Sequence, residues 1–188
     1  MSDRIAYLRE RIASLDCDGF VSVHPPANQY MSGMLTSLDH VSSVIIVSAT
    51  EARFLCDSRY TEQAQHQVRG FEVTQISGDQ LTVGGETLKA MGLNRVVFDQ
   101  NGHTVAEHNR LASAFGGELV PSETLVMQLR LTKDVDEARA VTEASELAES
   151  VLRDVVPTLK EGVRERDVAA TIEFEMKKTG SIARCVPD

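Results

Sequence analysis

The apolar periodicity of this chain changes once along its length, and that change limits the folds open to it. Up to about residue 122, short runs rich in Val, Ile and Phe alternate with helical segments. From residue 134 onward only the helical period remains. Strands that alternate with helices are typical of a sheet with helices packed on its faces. The sequence therefore predicts an α/β fold, a mixed β-sheet flanked by helices over residues 1–122, followed by a C-terminal helix pair.

Six segments of the first part predict extended structure. They are residues 18–24, 41–47, 51–56, 71–76, 95–99 and a short extended piece at 118–123. The Ser-Ala-Thr connection between the second and third segments is short enough to predict an antiparallel hairpin. Pro25 and Pro26 are predicted to stop the first strand, because proline cannot donate a hydrogen bond to a sheet. Residues 28–40, between these prolines and the hairpin, are predicted to form a loop.

The helices are predicted from apolar spacing and from their end signals. In the first part they cover residues 3–15, 57–68, 84–92 and 104–117, and in the second part residues 134–155 and 164–179. Asp57 or Ser58 can cap the helix at 57–68, because a short polar side chain satisfies the first amides of a helix. Asp134 and Glu137 resemble a capping box. Residues 123–133 are predicted to be a linker.

Charge and composition exclude several classes of function. The formal net charge is −9 over 188 residues, and no basic patch is visible, which argues against a nucleic-acid partner. The N-terminus is charged from residue 3 and no apolar run is long enough for a membrane span, so we expect neither a signal peptide nor a membrane partner. Cys17, Cys56 and Cys185 are odd in number and far apart, which indicates reduced thiols and a cytoplasmic protein.

No catalytic constellation stands out by spacing. His103 and His108 are five positions apart and point to different faces of a helix, and the chain lacks an H-E-x-x-H motif. It also lacks a nucleophile elbow, a Walker loop and a G-x-G-x-x-G loop. A cysteine nucleophile would need a histidine brought close by the fold, and the sequence neither supports nor excludes that. From the residues alone, the prediction stops at an α/β domain with a helical extension.

Six stretches, taken in order, resemble the creatinase, prolidase and Xaa-Pro aminopeptidase family of pita-bread metallopeptidases. They lie at residues 4–23, 28–34 (NQYMSGM), 52–64 (ARFLCDSRYTEQA), 96–111, 125–150 and 159–180. The D-x-R-Y-x-x-Q-A segment, with Asp57, Arg59 and Tyr60, is the most specific of them. Each motif alone is weak evidence for the family, but six motifs in the right order are strong evidence together.

Several single positions refine this resemblance. In the segment that leads into the catalytic domain of the family, Arg130, Lys133 and Glu137 match. The chain departs from the family at Asp99, where members often have Glu, and at Arg164, where members usually have a Thr or Ser helix cap.

The resemblance implies a role without catalysis for this chain alone. Members bind two divalent metals, such as Mn, Co or Zn, through two Asp, one His and two Glu, all beyond the position where this chain stops. Residues 134–188 would then be the helical start of a truncated pita-bread catalytic domain. No metal ligand can be carried over, so we expect no cofactor and no catalytic residue here. A frameshift, a deliberately shortened chain and a natural truncated paralogue all stay open.

The resemblance also gives a role to the predicted loop. In the family, the N-terminal domain helps to build dimers, and the loop after its Tyr-x-x-Gly turn restricts substrate size at the active site of the partner subunit. The implied substrate-gating residues are Tyr30, Asp39 and His40. The alternative is that Tyr30 and Gly33 only shape a turn. Structural motif residues, by the same resemblance, are Asn28, Gly33, Asp57, Arg59 and Tyr60.

Three hypotheses about function follow. The first is the dimerising and gating domain of an Xaa-Pro aminopeptidase or prolidase, which would meet proline-containing peptides only through a complete catalytic domain. The second is a standalone, non-enzymatic paralogue that pairs with itself or with a full-length peptidase. The third is an unrelated α/β domain that binds a small molecule, which a deep pocket within residues 1–122 would favour.

Overall fold

The computed structural model describes residues 2–35, 42–123 and 125–180, and these form two compact units. The first, which we call the sheet unit, runs to Thr132, and the second, the helix unit, begins at Lys133. The helices are α1 Ser2–Ser14, α2 Pro25–Ser32, α3 Thr61–Gln67, α4 Gln80–Ala90, α5 Val105–Phe115, α6 Leu125–Leu131, α7 Val135–Val155 and α8 Glu165–Lys178. The strands are β1 Gly19–Ser22, β2 Ser43–Ser48, β3 Ala52–Cys56, β4 Glu72–Gln75, β5 Arg95–Asp99 and β6 Glu118–Ser122.

The described strands form a six-stranded mixed sheet in the order β4-β3-β2-β1-β5-β6. β1 pairs antiparallel with β2, and β2 pairs antiparallel with β3. The second pair confirms the predicted hairpin. β4 pairs parallel with β3, β5 pairs parallel with β1, and β6 pairs parallel with β5. The predicted α/β fold with a mixed sheet and a C-terminal helix pair is confirmed.

The sheet is buried on both faces, because its strands alternate between two apolar layers. Phe20, Ile45 and Phe54 face one layer, which also contains residues of α1, α2 and α6. Their sequence neighbours, Val21, Ile46 and Leu55 among them, face the other layer, which contains residues of α4 and α5. Because β1, β5 and β6 are parallel neighbours, their carboxyl ends lie side by side at one end of this three-layer unit.

Two segments predicted without regular structure contain helices. The start of the predicted loop lies in α2, since Pro25 and Pro26 occupy the first positions of this helix, where a missing amide proton costs nothing. The segment predicted as a linker contains α6, whose Leu125 and Val126 are buried in the sheet unit. The division into domains otherwise stays a prediction.

The start of α4 also differs from the sequence prediction. It begins at Gln80 rather than at Gly84, because the Asp79 side chain accepts a hydrogen bond from the Thr82 amide. Gly85 lies at the crossing with α5, where an added Cβ would stand 2.6 Å from the Ala114 Cβ. A glycine inside this helix therefore serves close helix packing.

The helix unit has a small core of its own. Val151, Val155 and Met176 are buried between α7 and α8. The predicted capping box is present at the start of α7, with Asp134 and Glu137 each bonding the other's backbone amide. At the start of α8, Arg164 occupies the cap position without a side-chain cap bond. No helix in the described part of the chain is both long enough and apolar enough to cross a membrane.

Candidate functional site

The predicted gating segment begins on α2 and leaves this helix through Gly33. Gly33 has a φ of 80°, and its amide donates a hydrogen bond to the Gln29 carbonyl at 2.8 Å. This left-handed conformation is easily adopted only by glycine, and it ends the helix. Gly33 thus sets the direction in which the chain leaves α2.

Asn28 links α2 to the start of β2. Its side chain is buried, and its Nδ2 donates to the Ser43 carbonyl oxygen at 2.9 Å and to the Ser43 Oγ at 3.1 Å. The Ser32 hydroxyl donates to the Asn28 carbonyl at 2.7 Å. The chain before and after residues 36–41 is therefore held together by one buried amide side chain.

The chain just before residue 36 is also fixed to α3. The Leu35 amide donates to Gln67 Oε1 at 3.0 Å, and Gln63 Nε2 donates to the Leu35 carbonyl at 2.7 Å. Asp39 and His40, the other two predicted gating residues, lie outside the described residues. Of the predicted gating residues, the structure therefore places Tyr30.

Tyr30 is held from two sides on α2. The guanidinium of Arg4 stacks over its ring at 4.1 Å from the centroid, and the Tyr30 hydroxyl donates to the Leu129 carbonyl at 3.1 Å. The half-buried ring borders a cavity of about 240 Å³ that is lined by Pro26, Gln29, Tyr30 and Arg130. Stacking by a cation and a hydrogen bond at the ring tip leave the Tyr30 side chain little freedom.

The D-x-R-Y segment forms a polar turn at the end of β3. Asp57 and Arg59 make an ion pair at 2.7 Å, and the Arg59 amide donates to Asp57 Oδ1 at 2.9 Å. Hydrogen bonds from Arg59 lower the pKa of the Asp57 carboxyl below its ordinary value. α3 begins only at Thr61, so Asp57 is not its cap; Tyr60 occupies that position without a side-chain bond. Asp57 instead fixes the turn before the helix.

A second cavity, of about 140 Å³, lies where the parallel strands β1, β5 and β6 end. Its lining residues are His24, Asp99, Asn101, Glu123, Val126, Met127 and Arg130. Burial lowers the pKa of His24, and it also lowers that of His103 behind the cavity. In open α/β sheets, ligands bind outside the carboxyl ends of parallel strands. We call this cavity, with its lining residues, the strand-end cavity.

The sequence prediction missed the strand-end cavity, although a signal was present. His24, Asp99 and Glu123 each lie within two residues of the end of a strand. Once β1, β5 and β6 are known to be parallel neighbours, their end residues must meet at one edge. The local sequence does not show that pairing.

A third cavity, of about 430 Å³, lies at the opposite end of the sheet. Arg9 borders it and donates through Nε to the Ser48 carbonyl at 2.8 Å. Cys17 also borders it, and burial raises the pKa of its thiol. This thiol stays protonated near neutral pH, which does not favour a role as nucleophile.

Within residues 2–35, 42–123 and 125–180, no group of three or more His, Cys, Asp or Glu side chains is arranged to hold a metal ion.

The fold and these motifs place the chain in a known class of α/β domain. The family model of the creatinase/prolidase N-terminal domain matches residues 4–132, which is more than half of the chain. The chain belongs to this family.

Individual relatives agree with this assignment. The chain is 31% identical over 179 residues to the uncharacterized peptidase YqhT of Bacillus subtilis, and the match covers 95% of this chain and 50% of that protein. A solved structure of an Xaa-Pro dipeptidase from Bacillus anthracis superposes with a TM-score of 0.88 at 27% identity, over 97% of this chain and 50% of the other. The N-terminal domain of the cytoplasmic peptidase PepQ from Mycobacterium tuberculosis superposes with a TM-score of 0.60 at 25% identity, over 68% of this chain and 98% of that domain.

The relative lengths set the scope of these similarities. The chain spans about half the length of the first curated relatives that it matches. The similarity to whole peptidases therefore concerns their first half.

Proposed function

We propose that this chain is the dimerising and substrate-gating N-terminal part of an Xaa-Pro aminopeptidase or prolidase-like metallopeptidase, and that it does not cleave peptides alone. The observation that carries the proposal is the match over nearly the whole chain to one half of an Xaa-Pro dipeptidase. By the family resemblance, the residues that bind the two metals belong to the other half.

The geometry around α2 supports the gating role. Asn28 joins the two ends of the segment that contains residues 36–41, and the contacts of Leu35 with α3 fix its entry. Tyr30 is immobilised on the same helix and borders a cavity. A side chain that limits substrate length must keep its position when a substrate presses against it, and Tyr30 meets that requirement.

The first experiment tests the absence of catalysis. The purified chain is incubated with Xaa-Pro dipeptides and tripeptides and with Mn(II) or Co(II). We expect no turnover, because two-metal hydrolysis needs ligands that activate a water and hold the carbonyl. Metal-dependent turnover that co-elutes with the protein through successive columns would overturn this part of the proposal.

The second experiment tests gating in a chimera that joins this chain to the remaining half of YqhT. The change Tyr30→Ala should raise the ratio of tripeptide to dipeptide hydrolysis, because it removes the ring from the cavity. Tyr7→Ala is the matched control, since Tyr7 is 38% exposed on α1. Equal ratios in the two variants of an active chimera would refute a gating role for Tyr30.

A standalone pairing protein is the second candidate function, and the surface of the helix unit favours it. Val141 on α7 is 57% exposed and Phe174 on α8 is 64% exposed. Large exposed apolar side chains are candidates for contact with a partner. Sedimentation velocity of the chain separates the possibilities: a dimer that Phe174→Ser dissociates supports pairing through the helix unit, and a folded monomer at high concentration contradicts it.

The proposed cytoplasmic location rests on cysteine chemistry. The three cysteines are far apart in the sequence, which is typical of reduced thiols in a reducing compartment.

A further inference from the structure

The strand-end cavity combines opposite charges in a small space. Asp99 is only 7% exposed, while Glu123 is exposed at the rim. The half-buried Arg130 contributes a guanidinium from α6. Two carboxylates and one guanidinium around about 140 Å³ suit a ligand that itself carries both charges.

The polar groups retain the capacity to bind a ligand. Asp99 Oδ1 accepts the Asn101 amide at 3.2 Å, but a carboxylate offers about four acceptor positions. Glu123 Oε1 accepts a long hydrogen bond of 3.4 Å from Gln100. Arg130 has five N–H groups, so contacts within the protein are compatible with a bidentate contact to a ligand carboxylate.

The remaining walls are apolar or uncharged. Val126 is buried and Met127 is 52% exposed, and both side chains belong to α6. Burial lowers the pKa of His24 against the opposing charge of Asp99, so this ring is neutral near physiological pH. Val126 and Met127 thus offer hydrocarbon to a ligand beside the charged groups.

The loop that carries Asp99 and Asn101 is held rigidly. Asn101 Nδ2 donates to the Glu123 carbonyl at 2.9 Å, and His103 Nδ1 bonds the Asp99 carbonyl at 2.9 Å. At Gly102 a Cβ would stand 2.6 Å from the Cβ of His24, so only glycine lets the loop approach β1 this closely. A preformed wall lowers the entropic cost of binding.

We propose that the strand-end cavity binds a free α-amino acid with a small apolar side chain. Asp99 and Glu123 would accept hydrogen bonds from its ammonium group, and Arg130 would donate to its carboxylate. The side chain would lie against Val126 and Met127. The volume admits a small molecule and excludes a folded partner. This inference does not depend on the role of the chain in a peptidase.

Titration of the full chain with L-valine, followed by amide NMR, tests the proposal. We expect saturable shifts at the amides of Asn101, Gly102 and Glu123. L-Valinamide lacks the carboxylate and N-acetyl-L-valine lacks the ammonium, so each should bind about ten-fold more weakly or worse. The absence of saturable shifts with valine, or equal binding of either analogue, would overturn the proposal.

Two variants test which charged side chains bind the ligand. Asp99→Asn keeps the shape and the acceptor for the Asn101 amide, and Arg130→Gln removes the guanidinium. Each should weaken valine binding about ten-fold or more. Arg153→Gln is the matched control, because Arg153 lies exposed on α7 outside the cavity, and it should bind like the parent. Unchanged affinity in a folded Asp99→Asn or Arg130→Gln chain would contradict the assignment.

Discussion

The buried amide of Asn28 permits a quantitative test of how the predicted gating segment, residues 28–40, is held. In Asn28→Ala, two hydrogen bonds to Ser43 at 2.9 and 3.1 Å are lost. Each contributes about 1 kcal/mol, and the stranded Ser43 carbonyl adds about 1 kcal/mol more. The Asn28 Oδ1 is buried without a partner among the described residues, so its removal returns about 1 kcal/mol. The free energy of unfolding should fall by about 2 kcal/mol.

Denaturant unfolding followed by circular dichroism measures this loss. The midpoint should decrease while the dependence on denaturant stays unchanged, because the folded and unfolded surfaces remain similar. In thermal unfolding, 2 kcal/mol corresponds to about 4–8 °C for a chain of this size.

Asn109→Ala is the matched control for this prediction. Asn109 is exposed on α5 and bonds only its neighbour His108 among the contacts described, at 3.2 Å. Its replacement should change the unfolding free energy by less than about 0.5 kcal/mol. If Asn28→Ala and Asn109→Ala have equal effects, the Asn28 contacts with Ser43 do not hold the segment.

Three further changes test other parts of the structure. Burial lowers the pKa of His103 below its ordinary 6.5, so the unfolded state takes up a proton more readily than the folded state and the free energy of unfolding should fall as the pH drops below 6.5. His103→Gln should flatten that part of the curve of unfolding free energy against pH. Gly85→Ala should destabilise the chain by about 1–3 kcal/mol in denaturant unfolding, because the new methyl group meets Ala114 at 2.6 Å. Arg164→Ser should stabilise α8 by up to about 1 kcal/mol, seen as a higher melting midpoint of the helix unit, because serine can cap its first amides.

Each of these changes has a matched control. His66→Gln removes an exposed histidine and controls for the loss of an imidazole ring. Glu86→Ala introduces alanine at an exposed position of the same helix as Gly85 and should be near neutral. Arg166→Ser makes the same replacement at a side chain that is 74% exposed within α8, where serine cannot cap. Equal effects in a variant and its control would contradict the contact invoked for it.

Much of the architecture could be predicted because local chemistry determines it. The hairpin follows from its short connection, and α7 begins where Asp134 and Glu137 predict. α2 was missed because it is short and lacks apolar periodicity, and because prolines that end a strand can equally begin a helix. α6 was missed because it has only seven residues, which is too short for a helical period to be recognised.

The sites were harder to predict, because their contacts join distant parts of the chain. Tyr30 bonds Leu129, which is 99 positions away in the sequence, and Arg4, which is 26 positions away. No local pattern shows such pairs. The strand-end cavity depends on the parallel pairing of β1, β5 and β6, which is a property of the topology.

The central position of β1 has a consequence for the order in which the sheet forms. Its antiparallel neighbour β2 follows within the next few dozen residues. Its parallel neighbour β5 is synthesised much later, since Gly19 pairs with Val96. During synthesis, β1 can join the β2–β3 hairpin early, while its other edge has no partner until β5 leaves the ribosome. Unpaired edges invite intermolecular pairing. A chain that has been synthesised only to about β4 therefore presents an unpaired β1 edge to other chains.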